Sequence, residues 1–79
     1  MINNELLIER RMAERIINIR HPQTGEILAI KYDNQRWKSD NREIQKICNE
    51  WSGGSTAGGL ASEIAKVVLT KEAMGPSDL

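Results

Sequence analysis

Apolar residues near the start of the chain recur at close to helical spacing. The recurring set is Leu7, Ile8, Met12 and Ile16. Asn3 or Asn4 stands just before it, and an asparagine side chain can accept a hydrogen bond from the first free N–H groups of a helix. We therefore predict an N-terminal helix over about residues 4–14.

The pattern then changes to two short apolar runs joined by turn residues. Pro22 fixes its own φ at a value that suits a turn, and Gly25 can adopt the positive φ that closes one. We predict an antiparallel β-hairpin over about residues 15–32. Helices or another chain's edge should cover it, because a lone hairpin is only marginally stable in water.

One face of this hairpin is predicted to be apolar. We take His21 to pair with Glu26 across the turn. Ile19 then lies opposite Leu28, and side chains alternate between the two faces on either side of this pair. The apolar face would consist of Ile17, Ile19, Leu28, Ile30 and Tyr32.

Two more helices are predicted in the second half of the chain. Asp40 is a candidate N-cap, and Glu43 follows three residues later, as in a capping box. The apolar stripe of that helix is Ile44, Ile47, Cys48 and Trp51. We predict helices over about residues 41–51 and 57–73, joined by a glycine-rich loop, and a frayed tail over 74–79.

This order of elements indicates a small α+β domain with helices on one face of a two-stranded sheet. Seventy-nine residues allow one domain. A chain of this size buries only about 60% of its unfolded surface, so its core is thin. We therefore expect a homo-oligomer, in which the first helix makes the self-association contact through Leu6, Leu7 and Met12.

Residues that could carry chemistry are few. Cys48 is the only cysteine and His21 the only histidine, so one chain can form neither a disulfide nor a four-ligand Cys/His zinc site. No serine stands in a Gly-x-Ser-x-Gly nucleophile elbow, and no pair of carboxylates is marked as acid and base. We expect a cytoplasmic protein with no enzyme activity, no metal and no cofactor.

The charges balance, with 11 lysines and arginines against 11 aspartates and glutamates. This balance argues against general nucleic-acid binding and against attraction to a membrane surface. No apolar run approaches the ~20 residues needed to span a bilayer. Sequence-specific nucleic-acid binding is a third and weaker hypothesis, carried by Arg10, Arg11, Arg15 and Arg20.

The glycine-rich loop before the last helix supports two interpretations. Free N–H groups and the helix dipole attract anions at a helix N-terminus. A phosphate-bearing small molecule, such as a nucleotide, would then bind through Gly53, Gly54, Ser55, Thr56, Gly58 and Gly59. The Gly-Lys-Ser/Thr ending of a P-loop is missing, as is the strand that precedes a dinucleotide fingerprint. The other interpretation is a flexible joint between two helices.

Tyr32, Arg36 and Trp37 form the candidate partner-binding surface, since tryptophan and arginine are enriched at binding hot spots. The alternative is that Trp37 folds back over the open end of the hairpin. The leading hypothesis is a small non-enzymatic interaction protein of the regulator or inhibitor class, or a phage or plasmid accessory protein, that binds another protein. The phosphate binder is the alternative.

Overall fold

A computed structural model describes the backbone of residues 5–53 and 56–74, and the side chains up to Leu69. The described elements form a three-stranded antiparallel sheet and two helices, so the α+β class is confirmed. In chain order they are β1 (Leu7–Arg11), a 3₁₀ turn (Met12–Glu14), β2 (Ile16–Arg20), β3 (Ile27–Tyr32), α1 (Arg42–Glu50) and α2 (Ala57–Met74).

The prediction of an N-terminal helix is wrong, because the segment forms β1. All five residues of β1 pair with β2, from Leu7 opposite Arg20 to Arg11 opposite Ile16. Met12, which the helical pattern placed on an apolar stripe, is 81% exposed on the turn. Strand pairing with β2 forms backbone hydrogen bonds along one side of β1, and this tertiary interaction outweighs a weak local periodicity.

The connection between β1 and β2 is tight and needs an unusual backbone conformation. Arg15 follows the 3₁₀ turn with φ of 55°, in the left-handed region that non-glycine residues seldom adopt. Its N–H donates to the Met12 carbonyl at 3.2 Å, and its own carbonyl accepts from the Asp33 N–H at 2.6 Å. Asp33 also has a positive φ, of 46°.

The β2–β3 pair is the predicted hairpin, but its register differs from the predicted one. The His21 N–H donates to the Glu26 carbonyl at 2.8 Å, and Gly25 has the expected positive φ of 76°. Ile19, however, lies opposite Ala29 instead of Leu28. The register shifts by one residue beside Ile19, as at a β-bulge.

The bulge decides which side chains share a face. Leu28 and Ala29 are both buried beside Ile19. Ile30 and Tyr32 pair with Asn18 and Ile16, so they lie on the opposite face from Ile19. The prediction that Ile30 and Tyr32 share a face with Ile19 is therefore wrong.

Both helices pack on one side of the sheet. The buried cluster joins strand residues to helix residues, and its members are Leu6, Ile19, Leu28, Ala29, Trp37, Ile44, Cys48, Ala57, Leu60, Ala61 and Ile64. We call the sheet side that carries Ile8, Ile17, Ile19, Ala29 and Lys31 the covered face. We call the other side the open face; it carries Leu7, Glu9, Arg11, Ile16, Asn18, Arg20, Ile30 and Tyr32.

α1 begins one residue after its predicted start, and α2 begins at its predicted start. α1 is capped by Asn41, whose side-chain oxygen accepts from the Ile44 N–H at 3.1 Å, and not by the predicted Asp40. Ile44 and Cys48 of the predicted stripe are buried. The predicted tail begins at the last residue of α2, and residues 75–79 lie outside the described part of the chain.

Candidate functional site

Large exposed apolar side chains in the described part of the chain are confined to the sheet half of the molecule. They are Leu7 (46% exposed), Ile8 (39%), Met12 (81%), Ile27 (43%) and Tyr32 (43%). The large apolar side chains described on the two helices are not exposed, and Ile44, Leu60 and Ile64 belong to the core cluster. The exposed apolar surface therefore lies on the strands and on the turn that joins β1 to β2. Leu7, Ile27 and Tyr32 lie on the open face, whereas Ile8 lies at the outer edge of the covered face.

A polar network occupies the centre of the open face. The Glu9 Oε1 atom accepts from the Asn18 side-chain amide at 2.7 Å and from the Arg20 Nε–H at 3.1 Å. Arg20 also donates through Nη1 to the Gly25 carbonyl at 2.7 Å. These bonds tie β1, β2 and the β2–β3 turn together on a face that the core cluster does not reach.

Asn18 is the most enclosed side chain of this network. Only 3% of its surface is exposed, and its Oδ1 atom has no hydrogen-bond partner among the described residues. A buried acceptor without a partner costs about 1–3 kcal/mol. Such a group in a folded protein calls for an explanation, and the described residues supply no donor for it.

Glu9 carries a negative charge in this network at neutral pH. The pKa of Glu9 is lowered from its ordinary value of 4.5. The hydrogen bond from Asn18 is the largest cause, and the hydrogen bond from Arg20 is the second. The open face therefore combines a fixed carboxylate, a guanidinium and a buried amide with apolar neighbours.

The structure separates the three residues of the predicted partner-binding surface. Tyr32 is exposed on the open face. Arg36 donates to the Asn49 carbonyl at 3.3 Å, near the C-terminal end of α1, where a positive charge is favourable. Trp37 is only 4% exposed and belongs to the core, so its indole is not part of an exposed surface.

The segment around Trp37 is held by backbone pairing. Lys38 and Ile30 exchange two backbone hydrogen bonds of 2.8 and 2.9 Å. The Gln45 side chain accepts from the Ser39 N–H at 2.7 Å. These bonds place the segment along the outer edge of β3, and they place the indole in the core.

Two of the described glycines of the glycine-rich loop, Gly53 and Gly59, lie close to the Trp51 ring. A Cβ added to Gly59 would lie 2.7 Å from the Trp51 ring carbon Cη2, and one added to Gly53 would also meet the indole. At Gly58 a Cβ would meet nothing within 4 Å. Close packing against Trp51 therefore accounts for two of the glycines without any ligand.

The phosphate interpretation of this loop stays a prediction. The Thr56 hydroxyl donates to the Gly53 carbonyl at 2.8 Å, so it already has an internal partner. Gly54 and Ser55 lie outside the described residues. A groove of about 260 Å³ near the start of α1 is lined by Glu26 and Asp40, whose negative charges would disfavour a phosphate.

His21 and Cys48 both lie in surroundings that give them a structural role. The His21 Nδ1 atom accepts from the backbone N–H groups of Gln23 and Thr24, at 3.1 and 3.4 Å, so the imidazole organises the hairpin turn. Burial raises the pKa of the Cys48 thiol, which disfavours the nucleophilic thiolate. Within the described residues, no group of three or more His, Cys, Asp or Glu side chains could hold a metal ion.

The predicted self-association residues also separate. Leu6 is buried in the core, Leu7 is exposed on the open face, and Met12 is exposed on the turn. The polar network of Glu9, Asn18 and Arg20 is absent from the sequence predictions. It could have been found only by pairing β1 with β2, which the helical interpretation of the first segment prevented.

Comparison with protein-family models, with curated proteins and with solved structures finds no match to this chain. Of the helices in the described ranges, none has the length and apolar character needed to cross a membrane.

Proposed function

We propose that this chain is a small non-enzymatic cytoplasmic protein of the regulator or inhibitor class that acts by binding another protein, as a homo-oligomer. The partner would dock on the open face of the sheet. The observation that carries this proposal is the position of the exposed apolar side chains, which lie on the strands and their connecting turn and not on the helices. Exposed apolar patches on small proteins commonly mark interaction sites.

The composition of the open face supports a protein partner. Interfaces combine apolar and aromatic side chains with arginine and a few hydrogen-bonding groups. The open face offers Leu7 and Tyr32 at opposite ends, with Asn18 and Arg20 between them.

The arrangement favours protein over nucleic acid. Three of the four arginines from the nucleic-acid hypothesis lie near carboxylates. The ion pairs are Arg11 with Glu14 at 3.4 Å, Arg15 with Asp33 at 3.6 Å and Arg20 with Glu9 at 3.1 Å. Phosphate binding depends on unneutralised positive charge, which these carboxylates reduce.

A matched pair of charge substitutions tests the proposal. Tyr32→Glu places a carboxylate on the open face, whereas Lys66→Glu places one on the exposed side of α2, where the lysine side chain is 70% exposed. The tagged wild type and both variants are used to capture proteins from cells that naturally make this chain. We expect a partner that the wild type and Lys66→Glu retain and that Tyr32→Glu loses.

Circular dichroism of each variant shows whether the fold survives the substitution. Recovery of the same partner in equal amount by a folded Tyr32→Glu protein would move the interface off the open face.

A further inference from the structure

Among residues 5–53 and 56–74, one outer edge of the sheet is partly paired with another segment, and the other outer edge is not. Lys38 pairs with Ile30 and covers part of the β3 edge. Ser39 adds a hydrogen bond from its hydroxyl to the Leu28 carbonyl at 2.6 Å. Along β1, by contrast, pairing within residues 5–53 and 56–74 runs only inward, to β2. An uncovered edge strand is a template for pairing with another strand.

We propose that β1 pairs antiparallel with β1 of a second copy, in a register centred on Ile8, and that the two sheets join into one of six strands. This proposal gives a geometry to the homo-oligomer of the proposed function, and it rests on that part of it. The proposed docking face shares Leu7 with this edge, but its test at Tyr32 on β3 does not depend on the pairing of β1.

Symmetry restricts the registers that two identical edge strands can adopt. A two-fold axis perpendicular to the sheet exchanges the strands and keeps each side chain on its own face. Two residues that lie opposite each other share a face of the sheet, so their residue numbers are both even or both odd. The sum of the two residue numbers is therefore even. The axis must therefore pass beside one residue that faces its own copy. For β1 the central candidates are Ile8, Glu9 and Arg10.

Charge selects among these three registers. A register centred on Glu9 places two glutamates face to face, and one centred on Arg10 does the same with two arginines. Like charges directly opposite each other are destabilising. The register centred on Ile8 instead places two exposed isoleucines together, which buries apolar surface on both copies.

The pairs on either side of Ile8 are also compatible. Within β1, Leu7 lies opposite Glu9 of the second copy; Leu6 and Glu5, which precede the strand, come opposite Arg10 and Arg11 if the pairing extends beyond it. No two like charges face each other in this set. By symmetry the Glu5–Arg11 pair occurs twice, once at each end of the joined strands.

Cysteine substitutions along β1 test directly which residues face each other across the two copies. Ile8→Cys, Glu9→Cys and Arg10→Cys are each made in a Cys48→Ala background and oxidised mildly in solution. Residues directly opposite each other across an antiparallel pair are close enough for a disulfide, whereas residues offset by several positions are not. We expect covalent dimers from Ile8→Cys only, detected on a non-reducing gel. Preferential cross-linking at Glu9→Cys or Arg10→Cys, or none at any position, would overturn the register.

Charge exchange provides a second measurement in the native cysteine background. Glu5→Arg and Arg11→Glu each place like charges opposite each other twice, so each alone should weaken the dimer on the order of tenfold in Kd. Mixed in equal amounts, the two variants form a heterodimer in which both pairs are again opposite in charge. Sedimentation velocity should show that the mixture associates more tightly than either variant alone.

A control substitution on α2 shows whether a change of charge anywhere on the surface weakens the dimer. Glu63→Arg makes the same change at an exposed helix position and should dimerise as the wild type does. A monomeric wild type at all concentrations, or a mixture that associates no better than its components, would exclude the β1 dimer. Neither result bears on the Tyr32→Glu capture experiment, because Tyr32 lies on β3, at the opposite edge of the sheet from β1.

Discussion

The two faces of the sheet are built from the same three strands but carry different kinds of side chain. On the covered face, Ile19 and Ala29 are at most 1% exposed and contact the helix layer. On the open face, Leu7 and Tyr32 are more than 40% exposed, and a hydrogen-bonded network lies between them. Packing explains the covered face, whereas the apolar residues of the open face have no such explanation within the described chain. This difference is the basis of the proposed docking surface.

Two isoleucines on β2 give the sharpest test of this contrast. Ile19 is fully buried on the covered face, and Ile16 is half-buried on the open face of the same strand. We expect Ile19→Ala to lower the free energy of unfolding by roughly 2–5 kcal/mol, because it leaves a cavity in the core. Ile16→Ala should cost less than about 1.5 kcal/mol, since less apolar area returns to water.

Urea denaturation followed by circular dichroism measures both values. Similar losses from the two substitutions would show that the open face is packed as tightly as the covered one, and would remove the basis for a docking surface there.

Two neighbouring glycines test how closely the helix layer packs above the covered face. Gly59→Ala places a methyl group against the Trp51 ring, and we expect a loss of about 1–3 kcal/mol from this overpacking. Gly58→Ala meets open space and should add about 0.5–1 kcal/mol, because alanine favours a helix over glycine. Thermal unfolding of both variants gives the comparison.

The reason for the Gly59 effect can be checked in a second background. Trp51→Ala removes the ring, so Gly59→Ala should then cause little loss. If Gly59→Ala stabilises the protein as Gly58→Ala does, the Trp51 contact does not explain why glycine occupies position 59.

The tight connection between β1 and β2 predicts a smaller effect. Arg15 has a left-handed backbone conformation, which costs a non-glycine residue roughly 1–2 kcal/mol. We expect Arg15→Gly to be more stable than Arg15→Ala by about 1 kcal/mol, since both lose the exposed ion pair with Asp33 but only glycine removes the strain. Equal thermal midpoints for the two variants would show that position 15 is not strained.

The smallest predicted effect concerns the network on the open face. The pKa of Glu9 is lower in the folded chain than its ordinary value of 4.5, so its stabilising effect is complete above that value and is lost as the pH falls through the folded pKa. Glu9→Gln should remove this dependence. The difference in thermal midpoint between wild type and Glu9→Gln should stay constant at neutral pH and shrink below about pH 4.5.

A difference in midpoint that does not change down to the acid limit of folding would contradict the role of the Glu9 carboxylate. Asn18→Ala provides a further check, because it removes the hydrogen bond that lowers the Glu9 pKa most and should weaken the same pH dependence.

Local signals account for the parts of the fold that were predicted correctly. The positive φ of Gly25 and the stripe of Ile44 and Cys48 both follow from short-range chemistry. β1 was missed because its apolar residues match a helix nearly as well as a strand, and only the backbone of β2 decides between them. The bulge beside Ile19 has no local marker in the sequence.

The candidate site was less predictable than the fold. Tyr32 was chosen for its residue type and is exposed, but Trp37, chosen on the same grounds, is buried. The network joins Glu9 to Asn18, 9 positions later in the chain, and to Arg20, 11 positions later. It therefore exists only once β1 and β2 are paired. Residue type alone does not distinguish a binding tryptophan from a core tryptophan.

The sequence by itself determined the α+β class, the turn at Gly25 and the two helices, because each depends on residues close together in the chain. The tertiary structure decided that the first segment is a strand, that Trp37 lies inside, and that Ile30 and Tyr32 point away from the helices. Each of these depends on hydrogen bonds or packing between distant segments. A one-residue bulge is enough to move every later side chain of a strand to the other face.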